Sequence, residues 1–347
     1  MIFYDGAEDF LIRDVMKTKI KNIGIYLIVF CLLLGGCGKK TPKPKIHRVG
    51  ILCGLDYVIS ISDSFKTKMA ALGYIEGENI IYDLQRTNFE PAREEQILKQ
   101  FVEDKVDFIL TFPTEVSMAA KAVTKGTNIP VIFCFANIED TNLVESVRQT
   151  GGNITGVRYP GPDIAVKRFE IMCELAPQAK RIWIPYQRGY PIVNSQLKIL
   201  HQVAAAKGIT LIECPASDAA EIQADLQARA KSGNIGIDAM LIIVEPIGVN
   251  AEAFAVFGKF AAEHKIPVGG ALISAGGYSS IFGVNVNLND SGEQAAILAD
   301  KILKGSPAGT IPVASSEGFF QINYTAAQAY DITVPEGLLS VADEIIH

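Results

Sequence analysis

Histidine occurs only four times in 347 residues, at positions 47, 201, 264 and 347, too far apart in sequence to suggest a shared metal or proton relay. HExxH, GxSxG, CxxC and Walker-type loops are all missing. Zinc-hydrolase, serine-hydrolase and nucleotide-hydrolase chemistry therefore have no motif to rest on, and no cofactor or metal is expected. A basic surplus is missing as well. The 32 basic and 38 acidic residues leave a net charge of −6, with no positive field to gather phosphates, which argues against nucleic acid as a partner. Charged residues make up only 20% of the chain and hydrophobic ones 49%, which excludes a disordered or fibrous chain. The length exceeds one ordinary domain, so two are expected.

One long apolar run is present, and it lies near the start. Lys17, Lys19 and Lys21 precede residues 23–34, which carry no charge, and Leu34-Gly35-Gly36-Cys37 follows at once. Basic segment, apolar core and small residues before a cysteine are the ordered parts of a bacterial lipoprotein signal. Residues 1–37 are read as that signal, with Cys37 lipidated and Met16, one residue before Lys17, as the true start. Residues 38–45 hold four lysines, at 39, 40, 43 and 45, besides Pro42 and Pro44, a composition suited to a tether rather than a core. Cys53, Cys134, Cys173 and Cys214 remain after the signal; they allow three pairings, but their places in or beside expected strands favour buried free thiols.

From Arg48 onward, apolar runs of strand length alternate with segments of helical period, the pattern of parallel sheets covered by helices on both faces. The class is α/β. Strands are expected at 49–53, 80–84, 108–112, 131–135, 154–157, 181–184, 209–213, 239–244, 267–269 and 281–286. Between them, residues 91–104 form an amphipathic helix, with Ile97, Leu98, Phe101 and Val102 inward and Arg93, Glu94 and Lys99 toward water. Asp107-Phe-Ile-Leu followed by Ile129-Pro130-Val131 is echoed by Asp238-Ala-Met-Leu followed by Ile266-Pro267-Val268. Leu72-Gly73 and Lys207-Gly208 echo likewise, as glycine C-caps of helices. Two similar halves imply two Rossmann-like lobes, and ligands of open parallel sheets bind beyond the carboxyl ends of the strands. The glycine pairs at 269–270 and 276–277 lack phosphate-loop spacing and are read as turns or hinges.

Polar residues at strand ends are the candidate ligand-binding set. Thr114 follows the third strand as the N-cap of a helix over 115–124, with Ser117 one turn on, where a hydroxyl and free amides suit a carboxylate. Asn137 ends the next strand. Glu245, after Val244, is placed to pair with a ligand ammonium. Asp56 and Tyr57 follow the first strand, Tyr186 follows the sixth, Asn194 and Ser195 open a helix, and Asn285 lies on the strand expected to lead back to the first lobe.

The phrases Ala71-Leu-Gly-Tyr-Ile-Glu-Gly-Glu-Asn-Ile80, Thr150-Gly-Gly-Asn-Ile-Thr-Gly-Val157, Ala299-Asp-Lys-Ile-Leu-Lys-Gly305 and Ile322-Asn-Tyr-Thr-Ala-Ala through Val341-Ala-Asp-Glu-Ile345 resemble the ABC-transporter substrate-binding lipoprotein family, which includes tryptophan and aromatic amino-acid binders. The resemblance runs from about Val49 to the end. It implies a type I periplasmic-binding-protein fold, lobes at 46–158 plus about 284–312 and at 159–283 plus about 313–347, and closure around a small molecule for delivery to an ABC permease. A monomer, lipid-anchored to the membrane on its extracytoplasmic side, is the expected form. By the same resemblance, Thr114 matches the threonine of a Thr-Pro turn before a helix ending Ala-Ala-Lys (Ala119-Ala120-Lys121), with Glu115 in place of the proline. Asn137-Ile138 stands where many members have Asp-Pro, ahead of Leu143-Val144; Glu245-Pro246 fits another Asp-Pro, and Asn194-Ser195 an Asn-Ser. An acid at 115 also suits a helix's first turn without any ligand. The same fold serves a ligand-sensing module for a signalling partner, which stands as the alternative.

Overall fold

Residues such as Phe108–Phe112 and Val131–Ala136 are apolar without alternation and buried along their whole length, so both faces of each strand must be covered. The computed structural model describes residues 45–347; the expected signal, Cys37 and all but the last residue of the tether lie outside the described residues. The chain forms β1 (His47–Cys53), α1 (Ser60–Ala71), β2 (Ile80–Arg86), α2 (Pro91–Glu103), β3 (Phe108–Phe112), α3 (Thr114–Val123), β4 (Val131–Ala136) and β5 (Ile154–Arg158). It continues through α4 (Gly161–Leu175), β6 (Arg181–Gln187), α5 (Val193–Ala206), β7 (Thr210–Ala216), α6 (Ala219–Lys231), β8 (Ala239–Ile242), α7 (Ala251–His264) and β9 (Val268–Gly270). A small hairpin, β10 (Ser274–Ala275) and β11 (Tyr278–Ser279), turns at the glycine pair 276–277 and precedes β12 (Phe282–Val286). Then come α8 (Leu288–Leu303), β13 (Ala314–Ser315), β14 (Gly318–Asn323), α9 (Tyr324–Ala329), α10 (Glu336–Val341) and β15 (Glu344–Ile346).

Two sheets result. The first has the order β13-β5-β4-β3-β1-β2 and is parallel throughout. The second has the order β15-β14-β12-β9-β8-β6-β7, parallel except for the β12–β14 pair. The chain passes between the sheets at 158–161, 286–288 and 315–318, and α8 packs on α1 and β4 of the first. The expected α/β class with two lobes is what the sheets form.

Local chemistry explains most of the boundaries. Gly73 and Gly208 hold φ of 94° and 64° after α1 and α5, the left-handed C-cap conformation that a side chain resists. Asp218, Asn250, Asn287 and Asn323 cap α6, α7, α8 and α9 with side-chain oxygens on backbone N–H groups. Glu94 corrects the helical-face reading: it is 3% exposed because Thr87 Oγ1 donates to its carboxylate at 2.9 Å, a partner in the loop after β2. Likewise β8 stops at Ile242, two residues before the expected end. Cys53, Cys134, Cys173 and Cys214 are free thiols, the first, second and fourth buried.

Candidate functional site

The carboxyl ends of the two sheets face each other across a cleft. From the first lobe, the end of β4 brings Phe135, and the segments after β1, β2, β3, β4 and β5 bring Leu55, Phe89, Pro113, Thr114, Asn137 and Tyr159. Tyr190, Ile192 and the turn Val244 to Val249 close it from the second. The cavity between them measures about 20 Å³, room for a single water. Admitting an amino acid therefore requires the walls to part. Phe89 and Phe135 hold φ of 60° and 49°, a left-handed backbone that costs a bulky residue energy and that concentrates at ligand sites.

Several candidate residues converge here. Thr114 is not the N-cap of its helix: Pro113 occupies that position without a side-chain bond, and Thr114 is the first helical residue. Its hydroxyl instead accepts the N–H of Asn137 at 3.0 Å, tying the start of α3 to the end of β4. Asn137 is 2% exposed and its Oδ1 has no hydrogen-bond partner. Glu245 is 3% exposed and its carboxylate accepts N–H groups from Gln187 at 2.7 Å, from Ile247 at 3.1 Å and from Gly248. Those three donors favour the charged form, but burial outweighs them and pushes the acid up to about 7.

Other candidates lie outside that lining. Ser117 is buried and engaged locally, donating to the carbonyl of Pro113 at 2.7 Å and accepting from Thr111 at 3.1 Å. Asp56 is held by Arg86 at 2.7 Å and by Asn88, and the Arg86 guanidinium keeps its carboxyl below the usual range. Tyr186 donates to Glu213 at 2.6 Å, and Asn194 is exposed on α5. Tyr57 and Asn285 meet each other: the amide donates to the phenol at 3.0 Å, joining the first lobe to β12. Burial of the Tyr57 hydroxyl pushes it up to about 12, although 38% of the residue is exposed.

A family model described as ABC transporter substrate binding protein matches residues 52–346. The chain belongs to that family. The tyrosine-binding protein of Clostridioides difficile (strain R20291) is 28% identical over 338 residues, spanning 92% of this chain and 94% of that one. A conserved domain protein from Vibrio cholerae O1 biovar eltor str. N16961 superposes with a TM-score of 0.76 at 27% identity, covering 87% of this chain and 100% of the other. The ABC domain from Streptococcus pneumoniae in complex with L-Trp has a TM-score of 0.73 at 22% identity, over 86% of this chain and 100% of that one, a likeness of fold. The architecture is the type I periplasmic-binding-protein fold, and this substrate-binding protein is not an enzyme.

Sequence reasoning passed over several groups that line or flank the cleft. Tyr190 follows a turn rather than a strand, and Phe89 and Tyr159 sit in connections with no periodic pattern. Their signal is an aromatic within two residues of a proline just before a helix: Gly189-Tyr190-Pro191, Phe89-Glu90-Pro91 and Tyr159-Pro160-Gly161. Glu115, noticed only as a departure from the family pattern, faces the Tyr190 hydroxyl of the other lobe.

Proposed function

We propose that this substrate-binding protein is the extracytoplasmic, lipid-anchored receptor of an ABC importer, which captures an amino acid by lobe closure and delivers it to a permease. The observation that carries the reading is a cleft at the carboxyl ends of two sheets, lined by Phe89, Phe135, Tyr159 and Tyr190 around the polar end formed by Thr114 and Asn137. Aromatic walls suit an aromatic side chain. Thr114 accepts from Asn137 but keeps its own O–H, which, with the first-turn amides of α3, is oriented for a carboxylate. Asn137 Oδ1 and Glu245 are the acceptors offered to the ligand's ammonium or hydroxyls. A tyrosine-binding relative and a fold neighbour holding L-Trp support this ligand class. No helix among the described residues is long and apolar enough to cross a membrane; attachment is assigned to lipid on Cys37.

Native mass spectrometry of the purified protein, followed by melting curves with each of the twenty amino acids and with common sugars and carboxylic acids, tests the reading. A ligand at a hundred times its Kd raises folded-state stability by about 2.7 kcal/mol through mass action. Selective stabilisation by tyrosine, tryptophan or phenylalanine is the expected result. Stabilisation by a sugar or a carboxylic acid alone would reject the amino-acid assignment.

A further inference from the structure

Acids approach the cleft from both lobes, and no lysine, arginine or histidine lines its cavity. Glu115, in the first turn of α3, has both carboxylate oxygens buried, and the donors near it, its own backbone N–H and the Tyr190 hydroxyl, stand outside good hydrogen-bond geometry. On one side it borders the groove between α2 and α3, where Glu94 lies nearby with its carboxylate held by Thr87. On the other it faces Tyr190, which Glu245 also approaches from within the second lobe. Asn137, 2% exposed, adds an unpartnered Oδ1 to the same end of the cleft; its N–H bonds to Thr114, the residue next to Glu115.

Acceptors thus outnumber donors, and the buried Glu115 carboxylate faces the Tyr190 hydroxyl but no cationic side chain from the cavity lining. Such a carboxylate is costly until a cation meets it. An ammonium, which carries three donors and no acceptor, is the chemical complement. We infer that Glu115 is a specificity-determining residue that makes the cleft select its ligand through a positively charged amine. The inference rests on the capture reading above and adds to it a residue and a required ligand charge. Closure over a ligand lacking the amine leaves Glu115 without a cation and Asn137 Oδ1 unpaired, so the discrimination lies in what the wrong ligand fails to satisfy.

Calorimetric titration of the full-length protein with L-tyrosine, tyramine and 3-(4-hydroxyphenyl)propanoate separates the two claims. The three share one ring and differ in ammonium and carboxylate. Tyrosine and tyramine are expected to bind at least tenfold tighter than the deaminated acid, and Glu115→Gln is expected to shrink that gap to threefold or less. A melting curve verifies that the variant is folded, and the wild-type comparison decides independently of the variant. Equal binding of the acid and tyrosine, or a gap unchanged in Glu115→Gln, overturns the inference. If none of the three binds, putrescine and L-lysine are compared with succinate and myo-inositol by the same criterion. Binding only of a solute without an amine defeats the role of Glu115 while leaving capture intact. Binding of no solute in either series defeats both.

Discussion

Glu245 concentrates much of the local energetics of the second lobe's wall, since one carboxylate organises the turn after β8 through three backbone N–H groups. Replacing it with alanine leaves those donors buried and unpaired, at a cost of about 2–4 kcal/mol, and a lower melting temperature than wild type is the expected outcome. Its titration has a definite sign. The folded-state value of about 7 lies above the ordinary 4.5, so the folded protein holds the proton more tightly than the unfolded chain. The stability this contributes is complete below about pH 4.5 and is lost as pH rises toward 7, by at most about 3 kcal/mol. Urea unfolding between pH 4.5 and 8 should show that decline. The decline should be shallower in Glu245→Gln but not absent, because burial also raises Glu94 and Glu115. An unchanged slope in the variant would remove Glu245 from the account.

Between elements, small residues set how closely helices approach. Gly292 of α8 faces α1, where an added Cβ would fall on Ser64 Oγ and on the carbonyl of Ile61. Glycine to alanine in an exposed helix interior stabilises by roughly 0.5–1 kcal/mol. Here the added methyl should have the opposite effect, because the clash is with backbone, and Gly292→Ala should cost about 1–3 kcal/mol. Denaturant midpoints decide the sign. Gly50 does the same for a strand: its Cβ would stand 2.5 Å from the Phe101 ring of α2, so β1 is drawn tight beneath that helix. The misread face of α2 belongs to this scale, since periodicity placed Glu94 outward and only the loop carrying Thr87 brought a partner to it.

At the scale of the molecule, the crossovers are joined by a buried arginine. Arg168 of α4 is fully buried and donates to the carbonyl of Val284 at 2.8 Å and to the Tyr159 hydroxyl at 2.7 Å, the first on β12 just before one crossover and the second within another. Tyr57, bonded to Asn285, completes the set from the first lobe. A lysine cannot reproduce this two-sided fork. Arg168→Lys should therefore lower stability by about 2–4 kcal/mol, measured by urea unfolding. A loss below 0.5 kcal/mol would show that the crossovers hold without it.

Periodicity alone determined the alternation of strand and helix, and ten of the strands were legible, the central ones because both-face burial demands uninterrupted apolar runs. The glycine C-caps, the free thiols and the family likewise follow from local chemistry and ordered phrases. The strands β10, β11, β13 and β15, of two or three residues each, were not legible because they are too short to show a period, and β14 was not because its antiparallel pairing with β12 leaves no local signal. The site divides in the same way. Thr114, Asn137 and Glu245, which line the cavity, were legible as polar residues at strand ends. Tyr190, Phe89 and Tyr159 reach the cleft only through loops whose course is set by packing of one lobe against the other, and the same packing, not sequence position, left Ser117, Tyr186 and Asn194 outside the cavity lining.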